Sequence, residues 1–134
     1  MAKYQITVNE EQLEALRKST EAFSRICSCQ ITYALEEGWK LYKLDPLSRE
    51  ALDRHSKGIA KLLSKGEMDG HRSSYGIYSP DINKNAAIAY NLNQIIRHQQ
   101  WKEIPEDTRP KHVVSSSVSI CNGEEPATLE KIEE

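Results

Sequence analysis

The chain has 134 residues, of which 38% are hydrophobic and 28% charged, and its mean hydropathy is -0.66. These values are typical of one soluble domain and exclude a disordered chain, because apolar residues also recur with regular spacing. The formal net charge of -2 lacks the basic excess that binding to long nucleic acid requires. The sequence shows no membrane span and no signal peptide, so we expect a cytoplasmic protein without membrane contact.

The first third of the chain predicts a strand and then a helix. Residues 4–8 alternate and are rich in β-formers, which is typical of a strand. Asn9 is a suitable N-cap and Gln12 completes a capping box, so we expect a helix from Glu10 onward. Residues 30–43 either extend this helix or form another. The apolar stripe expected to pack in the core is Leu13, Leu16, Thr20, Phe23 and Cys27 with Ile26 beside it, opposite a polar face of Glu14, Arg17, Lys18 and Glu21.

The rest of the chain predicts two further helices and a second strand. After the break at Asp45-Pro46, Ser48 is expected to cap a helix that ends at Lys65-Gly66. Its apolar positions are Leu52, Ile59, Leu62 and Leu63. Residues 66–82 read as a loop, 84–103 as a helix, 112–121 as a strand and 122–134 as a polar tail. Pairing of the two terminal strands predicts a small α+β domain over residues 1–121, covered by a helical layer or a partner subunit.

The cysteines and the absence of known catalytic motifs give little support for metal binding or catalysis. Cys27, Cys29 and Cys121 make an odd count without a secretion signal, which indicates reduced thiols. No second Cys/His pair has zinc-ligand spacing, and the chain contains no Walker loop, G-x-S-x-G or H-E-x-x-H motif. We therefore expect no catalytic residue, no metal and no cofactor.

The segment HRSSYGIYSP at residues 71–80 stands shortly before a helix and has two interpretations. Ser, Gly and Pro are turn residues, so it can be an ordinary surface loop. Alternatively it forms an anion site together with the free N–H groups of the helix N-terminus. In that case Arg72 balances charge, Ser74 donates a hydroxyl, and Tyr75 or Tyr78 stacks on a base.

The helix at 84–103 carries a second stripe beside its apolar face. The residues Ala87, Tyr90, Gln94, Arg97 and Trp101 recur at helical spacing. Two aromatic residues flanking an arginine and a glutamine can stack bases and pair phosphates. The same residues can equally cover the edge of a core or a subunit interface, and spacing alone favours this second interpretation.

Several short stretches together resemble a group of small bacteriophage proteins. They are Phe23-Ser24-Arg25-Ile26 with Gln30, then Ser74-Tyr75-Gly76-Ile77-Tyr78-Ser79, then Ala89-Tyr90 running into Ile95-Ile96-Arg97-His98, with Glu125-Pro126 and Lys131-Ile132-Glu133 near the end. The group is similar to the phage anti-CBASS sponges, which sequester cyclic dinucleotide signals in an oligomer without cleaving them. Cys29 departs from the pattern, which has glycine at that position.

The resemblance implies a non-enzymatic phage counter-defence protein in the host cytoplasm. Its ligand would be a cyclic dinucleotide, and it would form a homo-oligomer such as a tetramer. The matched positions imply Arg25, Ser74, Tyr75, Tyr78 and Arg97 as binding residues, and the loop chemistry adds Arg72. Two alternatives stay open: a module that inhibits a host protein through the Tyr90–Trp101 face, and, ranked last, a small phosphodiesterase.

Overall fold

A computed structural model describes residues 2–68, 74–77, 79–110 and 127–132 of the chain. Throughout these ranges the regular structure is helical and no strand is present, so the predicted α+β class is wrong. Four α-helices and one short 3-10 turn make up the described fold: α1 (Glu10–Cys27), α2 (Ile31–Glu36), the turn (Leu41–Lys43), α3 (Pro46–Leu63) and α4 (Lys84–Glu103).

The predicted first strand at residues 4–8 is wrong as well. This segment is an irregular arm on which Tyr4 is 94% and Ile6 76% exposed. Alternating β-formers indicate a strand only where a second strand supplies hydrogen bonds, and none of the described segments does so. The predicted partner strand, 112–121, lies outside the described residues.

The ends of α1 follow from its sequence. The capping box is confirmed, because Gln12 N donates to Asn9 Oδ1 at 2.9 Å and Asn9 N donates to Gln12 Oε1 at 3.0 Å. At the other end Cys29 adopts a left-handed φ of 63°. Gln30 N then donates to Arg25 O at 2.8 Å and Cys29 N donates to Ile26 O at 3.0 Å, which is the Schellman pattern. Cys29 thus occupies a position that favours glycine.

The start of α3 differs from the prediction, whereas its end agrees. Asp45, not Ser48, is the N-cap, since its Oδ1 accepts from Ser48 N at 2.9 Å, and Pro46 takes the first helical turn, where its missing N–H costs nothing. The helix closes with a second Schellman pattern in which Gly66, at a φ of +88°, donates its N–H to Lys61 O at 2.7 Å.

The helices pack through small and polar side chains. α1 and α4 are antiparallel, because Asn93 Nδ2 on α4 donates to Arg17 O at 2.8 Å and Gln100 Nε2 donates to Glu14 Oε2 at 3.0 Å. α2 bridges α1 and α3. The buried residues are Cys29, Ile31, Ala34, Leu41, Ala60, Ala86, Ala87, Ala89 and Ile96, with the polar Ser24, Ser28, Ser56, Ser64, Asn91 and Asn93.

The predicted core face of α1 is wrong in part. Leu16, Phe23 and Ile26 remain 39%, 39% and 48% exposed. Arg17 and Glu21, predicted to face solvent, are half-buried instead. The cause lies in the buried face of α4, which carries alanines and the amide of Asn93. Because this amide can hydrogen-bond to α1, the face of α4 can pack against a polar surface of α1.

α3 shows the same inversion. Ser56 and Ala60 are buried, and Ala60 joins the apolar cluster of Cys29 and Ile31. The predicted core residues Ile59, Leu62 and Leu63 are instead 45%, 82% and 60% exposed. The single chain therefore leaves the most apolar parts of two helices uncovered.

Candidate ligand-binding site

A chain of side-chain hydrogen bonds joins the end of α1 to the loop that precedes α4. Arg25 Nη1 donates to Gln30 Oε1 at 2.7 Å, and Gln30 Nε2 donates to Ser74 Oγ at 3.0 Å. The backbone adds a further link, because Tyr75 N donates to Ser28 O at 3.1 Å. Three of the predicted site residues, Arg25, Ser74 and Tyr75, are thus brought together.

The geometry of this chain depends on the turn after α1. Left-handed backbone at Cys29 reverses the direction of the chain, so that Gln30 lies beside the last turn of the helix it has just left. The amide of Gln30 can then accept from Arg25 with its oxygen and donate to Ser74 with its nitrogen. Gln30 is therefore the central residue of the site.

The guanidinium of Arg25 is already engaged on two other sides. Its Nε and Nη2 donate to Glu21 Oε1 at 3.0 and 2.8 Å, and its Cζ lies 5.3 Å from the centre of the Tyr33 ring. The Arg25 side chain is 34% exposed. A phosphate approaching Arg25 would therefore meet a planar cation on an aromatic ring, with one carboxylate to displace.

Tyr75 is held in place at both ends of its side chain. The ring packs against the cluster formed by Cys29, Ile31 and Ala60, and the hydroxyl donates to Glu67 Oε2 at 2.9 Å. This hydrogen bond raises the pKa of the Tyr75 phenol above its usual value. The residue thus anchors the loop to the core.

Arg97 lies away from this cluster. Its neighbours along α4, Asn93 and Gln100, bond to Arg17 and Glu14 of α1, so Arg97 is level with the part of α1 between those two residues, in the first half of that helix. Ten or so residues of α1 separate this level from Arg25, which is a distance of about 15 Å along the axis. Arg97 is half-buried and forms no hydrogen bond or ion pair with any residue that the structure describes.

The remaining predicted residues, Arg72 and Tyr78, lie outside the described residues. The sequence reasoning missed Glu21 and Tyr33, which hold Arg25 from two sides. Glu21 was detectable, because it stands four residues before Arg25 on one helix face. Tyr33 was not, since its contact with Arg25 crosses the turn at Cys29 and follows no helical period.

The Tyr90–Trp101 face of α4 is partly covered by the chain that follows the helix. Trp101 Nε1 donates to Pro110 O at 2.6 Å, and Arg109 Cζ lies 4.5 Å from the centre of the Trp101 ring. The ring of His98 stacks on the same indole at 5.8 Å between centroids. Tyr90 is 36% exposed. Trp101 therefore offers less open surface than its spacing on the helix suggests.

Other parts of the described chain add a groove but no metal site. Burial raises the pKa of both Cys27 and Cys29, which disfavours the thiolate that a metal needs. No three Cys, His, Asp or Glu side chains gather as metal ligands within the described ranges. A groove with a volume of about 760 Å³ runs along α3 and contains none of the predicted binding residues; it is lined by Pro46, Arg49, Glu50, Asp53, Arg54, Lys57, Gly58 and Lys61.

Comparisons with protein families, with curated proteins and with solved structures find no match to this chain. Among the described helices, none combines the length and the apolar character needed to cross a bilayer.

Proposed function

We propose that this protein binds a small cyclic dinucleotide and sequesters it without cleaving it, as a phage counter-defence protein in the host cytoplasm. The observation that supports this proposal is the hydrogen-bonded chain Arg25–Gln30–Ser74. It joins, across 44 residues between Gln30 and Ser74, two of the stretches that resemble the sponge family. A pair of distant motifs that converge on one arginine is what a binding site requires.

The chemistry of the cluster suits an anionic ligand with flat bases. Arg25 provides a planar donor that can pair with a phosphate in two places once Glu21 has moved aside. Tyr33 is 41% exposed, and its ring already carries Arg25 on one face. The Gln30 amide can exchange its bond with Ser74 for a base edge or a phosphate oxygen.

A capture-and-release assay tests this function. The purified protein is mixed with a panel of cyclic dinucleotides and linear nucleotides, the filtrate is chromatographed, and the protein is then heat-denatured. One compound should disappear from the filtrate and return intact after heating. If it returns cleaved, the protein is a phosphodiesterase. If nothing is captured and a host protein co-purifies instead, the protein is an interaction module.

Three variants locate the site. Replacing Gln30 or Arg25 with Ala should weaken capture at least 10-fold, since each removes a polar contact or charge available to the ligand. Arg54→Ala is the matched control, because Arg54 is an exposed arginine on α3. Circular dichroism confirms that each variant is folded. Loss of capture in Arg54→Ala alone would move the site to the α3 groove and overturn the assignment.

A further inference from the structure

The seven charged residues of α1 all lie on one side of the helix. At 100° per residue they fall within an arc of about 120°, which leaves the remaining two thirds of the circumference uncharged. These charged residues are Glu10, Glu11, Glu14, Arg17, Lys18, Glu21 and Arg25. Part of this uncharged face packs within the chain, where Ser24 is buried, and the rest is exposed. A helix face that borders only water is normally charged, so the exposed uncharged part indicates a missing partner.

Five exposed residues of the uncharged face are spaced as in a coiled coil. They follow one another at intervals of four, three, four and three residues, and we name them the α1 seam: Gln12, Leu16, Ser19, Phe23 and Ile26. Alternating intervals of four and three place residues in one straight row that another helix can pack against. Ala15 is also exposed beside this row, and its small side chain lets a second backbone approach closely.

Two polar atoms of the seam already have partners in their own helix or its N-cap. The Ser19 hydroxyl donates to Ala15 O at 2.7 Å, and the Gln12 side-chain oxygen accepts from Asn9 N at 3.0 Å. Burying a polar group costs free energy when the group loses its hydrogen-bond partner. The Ser19 hydroxyl and the Gln12 oxygen keep their partners when the seam is covered, so they do not incur this cost.

We propose that the α1 seam is the contact between two copies of this chain, packed antiparallel about a twofold axis near Ser19. In this register Leu16 packs on the partner's Phe23 and Ile26 packs on the partner's Gln12. The two Ser19 residues meet at the axis, where their small size fits the closest approach of the helices. The inference does not depend on nucleotide binding.

Electrostatics favours a second copy in this orientation. The acidic first turn of α1 (Glu10, Glu11) comes next to the basic last turn (Arg25) of the partner subunit, and the two helix dipoles oppose each other. A homotypic contact also brings no like charges together, because every charge of α1 lies off the seam. The exposed apolar residues of α3 do not share this property, since Arg54, Lys57 and Lys61 border them.

The exposed surface is sufficient for such a contact. A stable interface buries about 800 Å² of accessible surface on each partner. The seam follows a helix of 18 residues, about 27 Å long. The arm before it adds Ile6 and Tyr4, and a tyrosine alone contributes about 150–250 Å². In the antiparallel pair the start of each α1, where this arm joins it, lies beside the C-terminal end of the partner's α1.

Sedimentation velocity of the full chain between 1 and 100 µM tests the proposal. The wild-type protein should sediment with the mass of a dimer or of a larger assembly with an even number of chains. Ser19→Arg places two like charges at the axis and should weaken association more than 100-fold while the helical circular dichroism stays unchanged. Asn85→Arg, which adds the same charge at an exposed position of α4, should associate as the wild type does.

Three results would overturn the proposal. They are a wild-type chain that is monomeric at 100 µM, a Ser19→Arg variant that keeps the wild-type mass, and dissociation caused by Leu62→Glu on α3 but not by Ser19→Arg. Orientation is tested by disulfide formation in a Cys27→Ser background. Leu16→Cys mixed with Phe23→Cys should give a linked dimer that neither variant forms alone. Self-linking of each single variant indicates parallel packing and contradicts the register.

Discussion

Replacement of Asn93 by Asp should destabilise the protein in a strongly pH-dependent way. Asn93 is 2% exposed, and its Nδ2 donates to Arg17 O at 2.8 Å. An ionised Asp at this position would place a carboxylate oxygen against the carbonyl oxygen of Arg17, and no water could reach the buried site to separate the two. The folded variant therefore keeps the Asp protonated, because only the protonated form can donate to the same carbonyl.

The size of the effect follows from the proton that the folded state must hold. An unfolded Asp has a pKa of about 3.9, and each unit between that value and the solution pH costs about 1.36 kcal/mol. The free energy of unfolding of the variant should thus be lower than that of the wild type by about 4 kcal/mol at pH 7, by about 1.5 kcal/mol at pH 5 and by little at pH 4. The sign follows because a pKa raised in the folded state gives stability that is complete below the unfolded pKa and lost as the pH rises.

Urea unfolding of wild type and variant at pH 4, 5, 6 and 7, at one protein concentration, measures how the difference in unfolding free energy changes with pH. Other acids titrate in both proteins and cancel in the difference. Asn93→Ala is the matched control: it should cost about 2 kcal/mol at every pH, for a lost hydrogen bond and a small void. A free-energy difference for Asn93→Asp that changes by less than about 1 kcal/mol over this range would mean that water reaches the amide, and the account of the α1–α4 contact would be wrong.

Three further predictions concern the helix ends and the ion pairs. Cys29→Gly should be more stable than Cys29→Ala by about 1 kcal/mol in urea unfolding, since both lose the thiol but only Ala keeps the strain of a left-handed φ; equal stabilities would contradict this. Asp45→Ala should cost about 1 kcal/mol through loss of the α3 cap, seen as a lower Tm. Bonding to Arg17 lowers the pKa of Glu14 to about 2, so its contribution to stability is present above the unfolded value of 4.5 and lost as the pH falls toward 2. Glu14→Gln should flatten this part of the pH profile, and an unchanged slope between pH 5 and 2 would contradict the pairing.

The local features of the helices were predictable because their signals lie within a few residues of one another. Asn9 and Gln12 form the predicted capping box, and the helix predicted at 84–103 has those bounds. The α3 cap was misplaced because Asp45 and Ser48 are both good caps, and only the structure shows which side chain accepts the bond. The strand at 4–8 was wrong because β propensity reports the side chains but not the presence of a pairing strand.

The packing was less predictable than the helices. Leu16 and Phe23 mark an apolar face of α1, but periodicity cannot say whether a helix of the same chain or another molecule covers it. The buried Asn93 carries no apolar signal, and it contacts Arg17 across a sequence separation of 76 residues. The site shows a similar limit: Arg25 and Ser74 were predicted, whereas the contact of Tyr33 depends on a turn in the backbone.

The small, polar core has a thermodynamic consequence. The described residues bury alanines, serines and asparagines where most domains bury leucine, isoleucine and phenylalanine. Unfolding exposes polar surface, which lowers the heat capacity, together with little apolar surface, which raises it. The heat-capacity increment of a single chain should therefore fall below the usual 12–15 cal/mol/K per residue, and its stability should vary only slightly with temperature around the maximum.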